Sequence, residues 1–230
     1  MNASAKSKSR QDYLKAILSL ELKGLKVSTS SISEKLSTKP ASVTGMFKVL
    51  SDLGFIEYKP YQGASLTQDG RKEAISLMRK HRLWETFMVD NLGFGWDEVH
   101  EVAEQLEHVE SKELIDKLDA YMGYPSFDPH GDLIPDKDGN MVDRRALVQV
   151  HTLKTGDVGC IQGVLGSSDA FLKHLGELGI RLGLVFKVKK VFEYDGNLLV
   201  EFVDDSGVLK EYPWSRKLVE QLLAEIKLNV

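Results

Sequence analysis

The fold is decided by residues 31–54, which run SISEKLSTKPASVTGMFKVLSDLG. Ser31 and Glu34 stand at the spacing of a capping box, so a short helix is expected with Ser31 as its N-cap. Pro40 suits the first turn of a second helix that ends at Gly54. The inward face of this second helix carries four apolar residues, Val43, Met46, Phe47 and Leu50. Two short helices joined by a tight turn predict a helix-turn-helix.

The residues on both sides extend this motif. Upstream, apolar residues between Asp12 and Leu22 recur at helical spacing, and Gly24 ends that helix. Downstream, residues 55–59 and 64–67 alternate like strands about a Pro-Tyr-Gln-Gly turn, which is typical of a β-hairpin wing. The head of the chain is therefore predicted to be a winged helix-turn-helix.

Charge is distributed unevenly along the chain, although the net charge is only -4. Residues 1–80 hold 14 Lys and Arg against 7 Asp and Glu, whereas residues 81–150 hold 6 against 16. A basic head followed by an acidic middle predicts a polyanion as partner of the first part and cations as partners of the second. The alternative is that both blocks are solvated surface.

The outward face of the second helix is free to enter a major groove of double-stranded DNA, since its inward face must pack. Small hydroxyl side chains there permit close approach, and a lysine supplies a phosphate or guanine contact. Further contacts to the DNA backbone are expected from the wing and the N-terminal tail. The candidate DNA-binding residues are Ser42, Thr44, Lys48, Lys59, Gln62 and Arg10. Winged helices also serve as protein-interaction modules, but the surplus of positive charge favours DNA.

Composition is that of an ordinary globular protein. The 230 residues are 42% hydrophobic and 28% charged, which excludes disordered, collagen-like and disulfide-scaffold classes and allows two or three domains. The first residues lack the apolar core of a signal peptide, and no stretch approaches the ~18 apolar residues of a membrane span. The single cysteine, Cys160, cannot form an internal disulfide, which fits a reducing compartment. We therefore expect a cytoplasmic protein.

Histidines and carboxylates recur at helical spacing in the acidic middle. Thr67 is expected to cap a long helix on which His81 and Glu85 lie one turn apart. On a following helix, over about residues 97–109, four potential ligands share one narrow stripe: His100, Glu104, Glu107 and His108. This chemistry is typical of a divalent-metal site, because a dication removes the repulsion between carboxylates. An exposed acidic helix with incidental histidines is the alternative.

These motifs together resemble one known family. The order Met78-Arg-Lys-His-Arg-Leu-Trp-Glu85, then Val99-His-x-x-x-Glu-x-x-Glu-His108, behind a winged helix-turn-helix, is similar to the diphtheria-toxin-repressor and manganese-transport-regulator family of metal-dependent bacterial repressors. Residues 175–183 resemble part of the SH3-like, ferrous-transport-accessory-type domain of the longer members. The likeness covers nearly the whole chain.

The resemblance implies a mainly α fold with α+β parts. Its three domains would be a winged helix-turn-helix DNA-binding domain over residues 1–70, a helical metal-binding and dimerisation domain over 71–145, and an SH3-like β-barrel over 146–230.

The resemblance also implies two metal sites. The primary site would take Asp12, Glu104, Glu107 and His108. The ancillary site would take His81, Glu85 and His100, with Asp128 and His130 from the loop at 126–131 and Asp169 from the C-terminal domain. A plain Asp-Pro-His-Gly turn is the alternative for that loop. Iron-type members carry sulfur-bearing residues where this chain has Asp12 and Glu104, so manganese(II) is expected, with iron(II) as the alternative.

These observations predict a metal-activated, dimeric transcriptional repressor of metal-uptake and homeostasis genes, not an enzyme. Its partners would be a second copy of the chain and a palindromic double-stranded operator, with no membrane and no small-molecule substrate. A metal-dependent hydrolase built on the carboxylate and histidine cluster is the alternative, and it leaves the basic winged helix unexplained. A winged helix that acts without metal is a third hypothesis, and it leaves the ligand stripe unexplained.

Overall fold

The computed structural model describes residues 3–141, 147–166, 168–204 and 207–227, with residues 3–6 and 169 described by their backbone alone. The chain divides into two compact units. The first unit takes the residues up to Trp84 with the segments 103–124 and 134–141, and the second takes the segments 85–102, 125–133 and the C-terminal part from Val142. Each unit is described below by itself.

The first unit opens with the predicted helices and hairpin. Its elements are helices α1 (Ala3–Leu22), α2 (Thr29–Lys35) and α3 (Pro40–Asp52), followed by strands β1 (Ile56–Lys59) and β2 (Gly63–Leu66). The strands pair antiparallel, with Ile56 opposite Leu66 and Lys59 opposite Gly63. Helix α1 begins well before Asp12, because the alanines, lysines and arginine of that stretch favour helix. A winged helix-turn-helix is thus confirmed.

The start of α2 differs from the prediction. Its N-cap is Ser28, whose hydroxyl accepts a hydrogen bond from the Ser31 amide, while the Ser31 hydroxyl accepts one from the Ser28 amide. The capping box therefore lies one turn earlier than the Ser31 to Glu34 pattern indicated, and Glu34 is an exposed residue inside the helix. Ser31 occupies the third helical position, where its hydroxyl accepts the hydrogen bond that a Glu or Gln side chain usually accepts in a capping box.

Helix α3, the recognition helix of the helix-turn-helix, is held in place by the packing of its inward face. Val43, Phe47 and Leu50 are fully buried, as predicted, and join Leu14 and Ile17 of α1 in one hydrophobic core. Met46 is only partly buried and packs at the edge of that core. Because α1 and α3 share one core, a displacement of α1 is transmitted to the recognition helix through close-packed side chains.

A polar contact fixes the β1–β2 hairpin to helix α1. The Glu21 carboxylate of α1 accepts a hydrogen bond from the backbone amide of Leu66 at 2.9 Å and pairs with the Arg71 guanidinium at 2.8 Å. The wing, α1 and the following helix are therefore tied together at one residue.

Three helices follow the wing: α4 (Gln68–Leu92), α5 (Val99–Leu106) and α6 (Lys112–Tyr121). Thr67 caps α4 as predicted, since its hydroxyl accepts a hydrogen bond from the Gly70 amide at 3.2 Å. Helix α5 is shorter than the predicted span of residues 97–109, and Glu107 and His108 lie in the turn after its last residue. The predicted four-ligand stripe on one regular helix is therefore wrong at its C-terminal end.

The C-terminal part of the chain is a six-stranded antiparallel sheet in the order β3-β8-β4-β5-β6-β7. Its strands are β3 (Leu147–Gln149), β4 (Val158–Val164), β5 (Val185–Val191), β6 (Leu198–Val203), β7 (Leu209–Trp214) and β8 (Leu222–Lys227), with helices α7 (Asp169–Glu177) and α8 (Arg216–Val219) between them. Alternate residues of the strands face inward, and Phe186, Val200 and Trp214 are fully buried there. This fits the predicted SH3-like domain.

Within the described residues, none of the helices combines the length and the apolar composition that a bilayer-spanning helix requires.

Candidate metal centres and recognition surface

The outward face of α3 presents small and basic side chains. Ser42 and Lys48 are exposed, whereas Thr44 is half-buried and its hydroxyl donates to the Pro40 carbonyl oxygen at 3.1 Å. Apart from the chain neighbours of Gly45 and the backbone of α3, a Cβ at this position would meet no heavy atom of the described residues within 4 Å, so the helix is accessible there. The sequence-predicted face is therefore open, although the Thr44 hydroxyl is already engaged within the helix.

The wing carries two exposed candidates and a residue that sequence analysis missed. Lys59 and Gln62 are exposed at the turn of the hairpin. Between them Tyr61 is fully exposed and has a φ of 66°, a backbone conformation that bulky residues rarely adopt. Its aromatic ring is therefore presented at the tip of the wing. Arg10, which was assigned to a tail, lies within α1 and is partly buried.

The first candidate metal centre lies in the first unit. One donor atom each from Asp12, Glu107 and His108 lies within 4.8 Å of the others. Asp12 comes from α1, and the other two come from the turn after α5. His108 Nε2 is 3.2 Å from Asp12 Oδ1 and 3.9 Å from Glu107 Oε1. The cluster thus joins the recognition domain's first helix to the acidic middle of the chain.

A hydrogen-bonded relay orients the His108 ring. The Gln11 side-chain amide donates to the Glu73 carboxylate at 2.8 Å, which leaves the Gln11 carbonyl oxygen facing His108 Nδ1, also at 2.8 Å. That oxygen only accepts, so Nδ1 carries the proton and Nε2 offers its lone pair to the cluster when the ring is neutral. Metal-binding histidines are commonly oriented in this way by an acceptor on the second nitrogen.

Burial makes the Asp12 carboxylate of this cluster costly to ionise. Burial raises the pKa of Asp12, the nearby His108 lowers it, and the negative charge of Glu107 raises it further. Glu107 is completely buried and is held by two donors, Lys15 and His81. A divalent cation would add to the compensation that Lys15 and His81 give this concentration of negative charge.

Two further predicted ligands, one from each predicted site, lie beside this cluster. Glu104 is half-exposed, and its carboxylate lies 3.8 Å from Lys15 Nζ, outside the group of three. His81, which the resemblance assigns to the ancillary site, has its Nδ1 at 2.6 Å from Glu107 Oε2. It also lies one helical turn before Glu85 on α4.

The second candidate centre lies in the second unit. Donor atoms of Glu85, Asp128 and His130 lie within 4.8 Å of one another, and all three side chains are nearly buried. His100 reaches the same carboxylate, with its Nδ1 at 3.3 Å from Glu85 Oε1, and is more than half exposed. The side chain of Asp169 lies outside the described residues, while its backbone begins α7.

The His130 ring is also oriented by its surroundings. Its Nε2 is 2.9 Å from the Trp96 carbonyl oxygen, which only accepts, so the proton is on Nε2. Its Nδ1 then faces Glu85 Oε2 at 3.8 Å and Asp128 Oδ1 at 4.0 Å. Asp128 Oδ1 already accepts from the amides of His130 and Asp132, which fixes the loop as a turn.

The donor atoms of both centres are suited to a divalent metal ion. In each, two carboxylates and the lone pair of an oriented imidazole converge from different segments. Three acceptors that face one another repel unless a cation or protons lie between them. Nitrogen and oxygen donors of this kind suit first-row divalent metals. The fold and these centres together define a class of protein: a winged-helix protein whose DNA-binding head supplies one residue, Asp12, to a candidate metal centre.

Comparisons with known proteins agree with this class. The model of the iron-dependent repressor N-terminal DNA-binding domain matches residues 6–64, and that of the metal-binding and dimerisation domain matches residues 67–136. The chain is 36% identical over 117 residues to an HTH-type transcriptional regulator of Methanocaldococcus jannaschii, covering 50% of this chain and 94% of that protein. It is 34% identical over 123 residues to the iron-dependent repressor IdeR of Mycobacterium tuberculosis, covering 54% of this chain and 54% of that protein.

The likeness extends to solved structures and to the C-terminal domain. A manganese-dependent transcriptional repressor, solved in complex with manganese, superposes with a TM-score of 0.77 at 30% identity. That match covers 95% of this chain and 100% of the other. The chain belongs to the iron-dependent repressor family of metal-dependent transcriptional repressors.

Proposed function

We propose that this protein is a cytoplasmic homodimer that represses metal-uptake and homeostasis genes when manganese(II) binds, with iron(II) as the alternative activator. The observation that carries the proposal is the convergence of Asp12, from the DNA-binding head, with Glu107 and His108, from the metal-binding and dimerisation region. Manganese is preferred because these donors are oxygen and nitrogen atoms, without sulfur. As a member of a family of transcription regulators, it is inferred to be a regulator and not a hydrolase.

The ligand sets proposed for the two sites follow the geometry and the resemblance. The primary site comprises Asp12, Glu107 and His108, with Glu104 joining from the exposed edge. The ancillary site comprises Glu85, Asp128 and His130, with His100 beside Glu85. His81 and Asp169 are retained as further ancillary ligands on the strength of the family resemblance. The three-domain division at about residues 70 and 145 is likewise retained.

The mechanism we infer is a restraint on the recognition helix. Asp12, Glu107 and His108 would hold a divalent ion, which would supply positive charge between the two carboxylates. Asp12 then holds α1 against the turn that carries Glu107 and His108, and α1 holds α3 through their common core. Two recognition helices restrained in this way lose less conformational freedom when they enter successive major grooves of a palindromic operator. Metal binding thereby raises the affinity for DNA.

The test is a DNA-binding titration of the full chain. A duplex is first enriched from a random library by rounds of binding with excess manganese(II), and its affinity is then measured by fluorescence anisotropy with manganese or with chelator. We expect a large manganese-dependent gain in the wild type. In Glu107→Gln this gain should be lost while the protein stays a folded dimer, because the substitution removes one negative charge and keeps the side-chain shape.

A second variant separates the metal site from the DNA surface. Lys48 is exposed on α3, so Lys48→Ala should weaken DNA binding and reduce its salt slope by about one counterion, while leaving manganese affinity unchanged. Operator binding by the wild type that ignores manganese refutes the proposal. Manganese-dependent turnover of a phosphoester would instead support the hydrolase.

A further inference from the structure

Lys15 is a cation built into the primary cluster. It lies three residues after Asp12 on α1, hence on the same face of the helix. Its Nζ is 2.7 Å from both carboxylate oxygens of Glu107, so the ammonium group lies across the whole carboxylate. Glu107 is fully buried and Lys15 mostly so, which shields the pair from solvent. The sequence patterns did not single out Lys15.

An ammonium group in this position conflicts with a divalent cation at the same carboxylate. A cation that binds Glu107 needs at least one of the two oxygens that Lys15 contacts. Two positive groups a few ångströms apart in a partly buried site repel strongly, because water screens them poorly. Binding of metal to Glu107 therefore requires Lys15 to move away from it.

A place for the displaced ammonium group lies next to it. The Glu104 carboxylate is 3.8 Å from Lys15 Nζ and is half-exposed. Lys15 is a flexible side chain with four methylene groups, so a small rotation keeps its charge beside Glu104 while it leaves Glu107.

We propose that Lys15 is an internal competitor of the metal for Glu107 and so sets the metal concentration at which the repressor responds. This inference rests on the proposed function. With Lys15 on Glu107 the buried carboxylate is compensated and the head remains folded. With metal on Glu107 the same carboxylate serves the restraint of α1. Lys15 is thus not a metal ligand itself. It acts through Glu107 and so sets the metal concentration that the site requires.

The experiment compares manganese binding to the full chain by isothermal titration calorimetry in four proteins. Lys15→Met removes the charge and keeps an apolar side chain of similar reach. Lys15→Arg keeps the charge. Lys72→Met is the matched control, because Lys72 is an exposed residue of α4 whose nearest acidic partner, Asp69, is 3.9 Å away. The second measurement is the thermal unfolding midpoint in chelator.

We expect Lys15→Met to bind manganese at least about tenfold more tightly than the wild type, since the repulsion between like charges is removed. Lys72→Met should bind as the wild type does, and Lys15→Arg should not gain affinity. In chelator, Lys15→Met should unfold at a lower temperature than Lys72→Met, because Glu107 is left without its cation, and manganese should recover that loss. An equal or weaker manganese affinity of Lys15→Met overturns the proposal.

The outcomes also separate this inference from the function on which it rests. A wild type that binds no manganese, or binds it without a change in DNA affinity, refutes the proposed function and leaves no threshold to set. A wild type that responds to manganese, with Lys15→Met unchanged, refutes the inference alone. If Lys15→Met does not fold in chelator, Lys15→Gln replaces it, because an amide still donates a hydrogen bond to Glu107 but carries no charge.

Discussion

The orientation and the tautomer of the His108 ring depend on residues that do not belong to the candidate metal site. The Gln11 carbonyl oxygen fixes the proton on Nδ1, and Glu73 fixes the Gln11 amide so that this oxygen points at the ring. Gln11 also neighbours Asp12 in the chain, so the same turn of α1 supplies a ligand and the group that orients another ligand. Rotation of the His108 ring or exchange of its proton therefore disturbs both the Asp12 ligand and the Gln11 group that orients His108.

Replacing Gln11 by Leu should weaken manganese binding by about 10- to 100-fold, the usual cost of removing a partner that orients a metal-binding histidine. The measurement is calorimetric titration with manganese. The control is Gln68→Leu, which changes an exposed glutamine at the start of α4. Equal affinities of the two variants would show that the relay has no influence on His108.

Replacing Asp12 by Met should change the choice of metal. A thioether is a softer donor than a carboxylate, so the DNA-binding response to manganese should fall more than the response to iron(II). The measurement is the ratio of the two activation midpoints in anaerobic DNA-binding titrations. If both midpoints shift by the same factor, Asp12 is not a direct ligand.

The residues of the two centres differ in how far sequence could identify them. Periodicity alone indicated the pair His81 and Glu85 and the stripe of His100, Glu104, Glu107 and His108. Lys15 and Gln11 did not stand out, because their partners are 92 and 97 positions away in the chain. A contact of that separation depends on how α1 packs, which no local pattern records.

Helix α3 combines a buried stripe with a backbone that is accessible on the other side. Gly45 is the accessible point, with open space where a side chain would begin. A glycine inside a helix lowers its stability by roughly 0.5–1 kcal/mol relative to alanine. Among the described residues no steric conflict explains its presence, whereas the proposed close approach of a DNA backbone or base edge would explain it.

Gly45→Ala should therefore stabilise the protein by about 0.5–1 kcal/mol and weaken operator binding. Chemical denaturation of the protein with chelator measures the first effect, and anisotropy with excess manganese measures the second. Ala41→Gly, an exposed position in the first turn of the same helix, serves as the reverse control for stability. A stabilised variant with undiminished DNA affinity would place this face away from DNA.

Element types were more predictable than element ends. The winged helix-turn-helix, the capped start of α4 and the β-rich tail followed from apolar spacing and turn residues. The start of α2 did not, because Ser28, Ser30 and Ser31 are all good N-caps and only the folded chain selects Ser28. The end of α5 did not either, because residues 107–110 contain neither Gly nor Pro to mark it.

At the scale of the whole molecule, an exposed apolar strip on α6 is the expected dimer contact. Ile115 and Leu118 face the core, whereas Leu114 and Tyr121 are exposed and lie two turns apart on one side of the helix. Leu114→Asp should convert the dimer into a monomer without unfolding it. Sedimentation at micromolar concentration measures this, and Ala120→Asp, on another side of α6, is the control. A monomeric wild type, with metal and DNA present, would contradict the dimer.

The restraint mechanism makes a further demand on the whole molecule, because coupling between two binding sites is reciprocal. If manganese tightens operator binding by a given factor, the operator must tighten manganese binding by the same factor, typically about 5- to 150-fold. The physical route is the one core that α1 and α3 share: DNA that holds α3 also holds Asp12 near Glu107 and His108.

The measurement is a manganese titration of the dimer with and without saturating operator duplex, followed by electron paramagnetic resonance of the free ion. We expect the manganese midpoint to fall on adding operator, by the factor that manganese produces in DNA affinity, and to stay constant on adding a duplex of scrambled sequence. In Lys48→Ala the operator should shift the midpoint less at the same DNA concentration, because less of the protein is bound. A manganese midpoint that ignores the operator would disconnect the metal centre from the recognition helix.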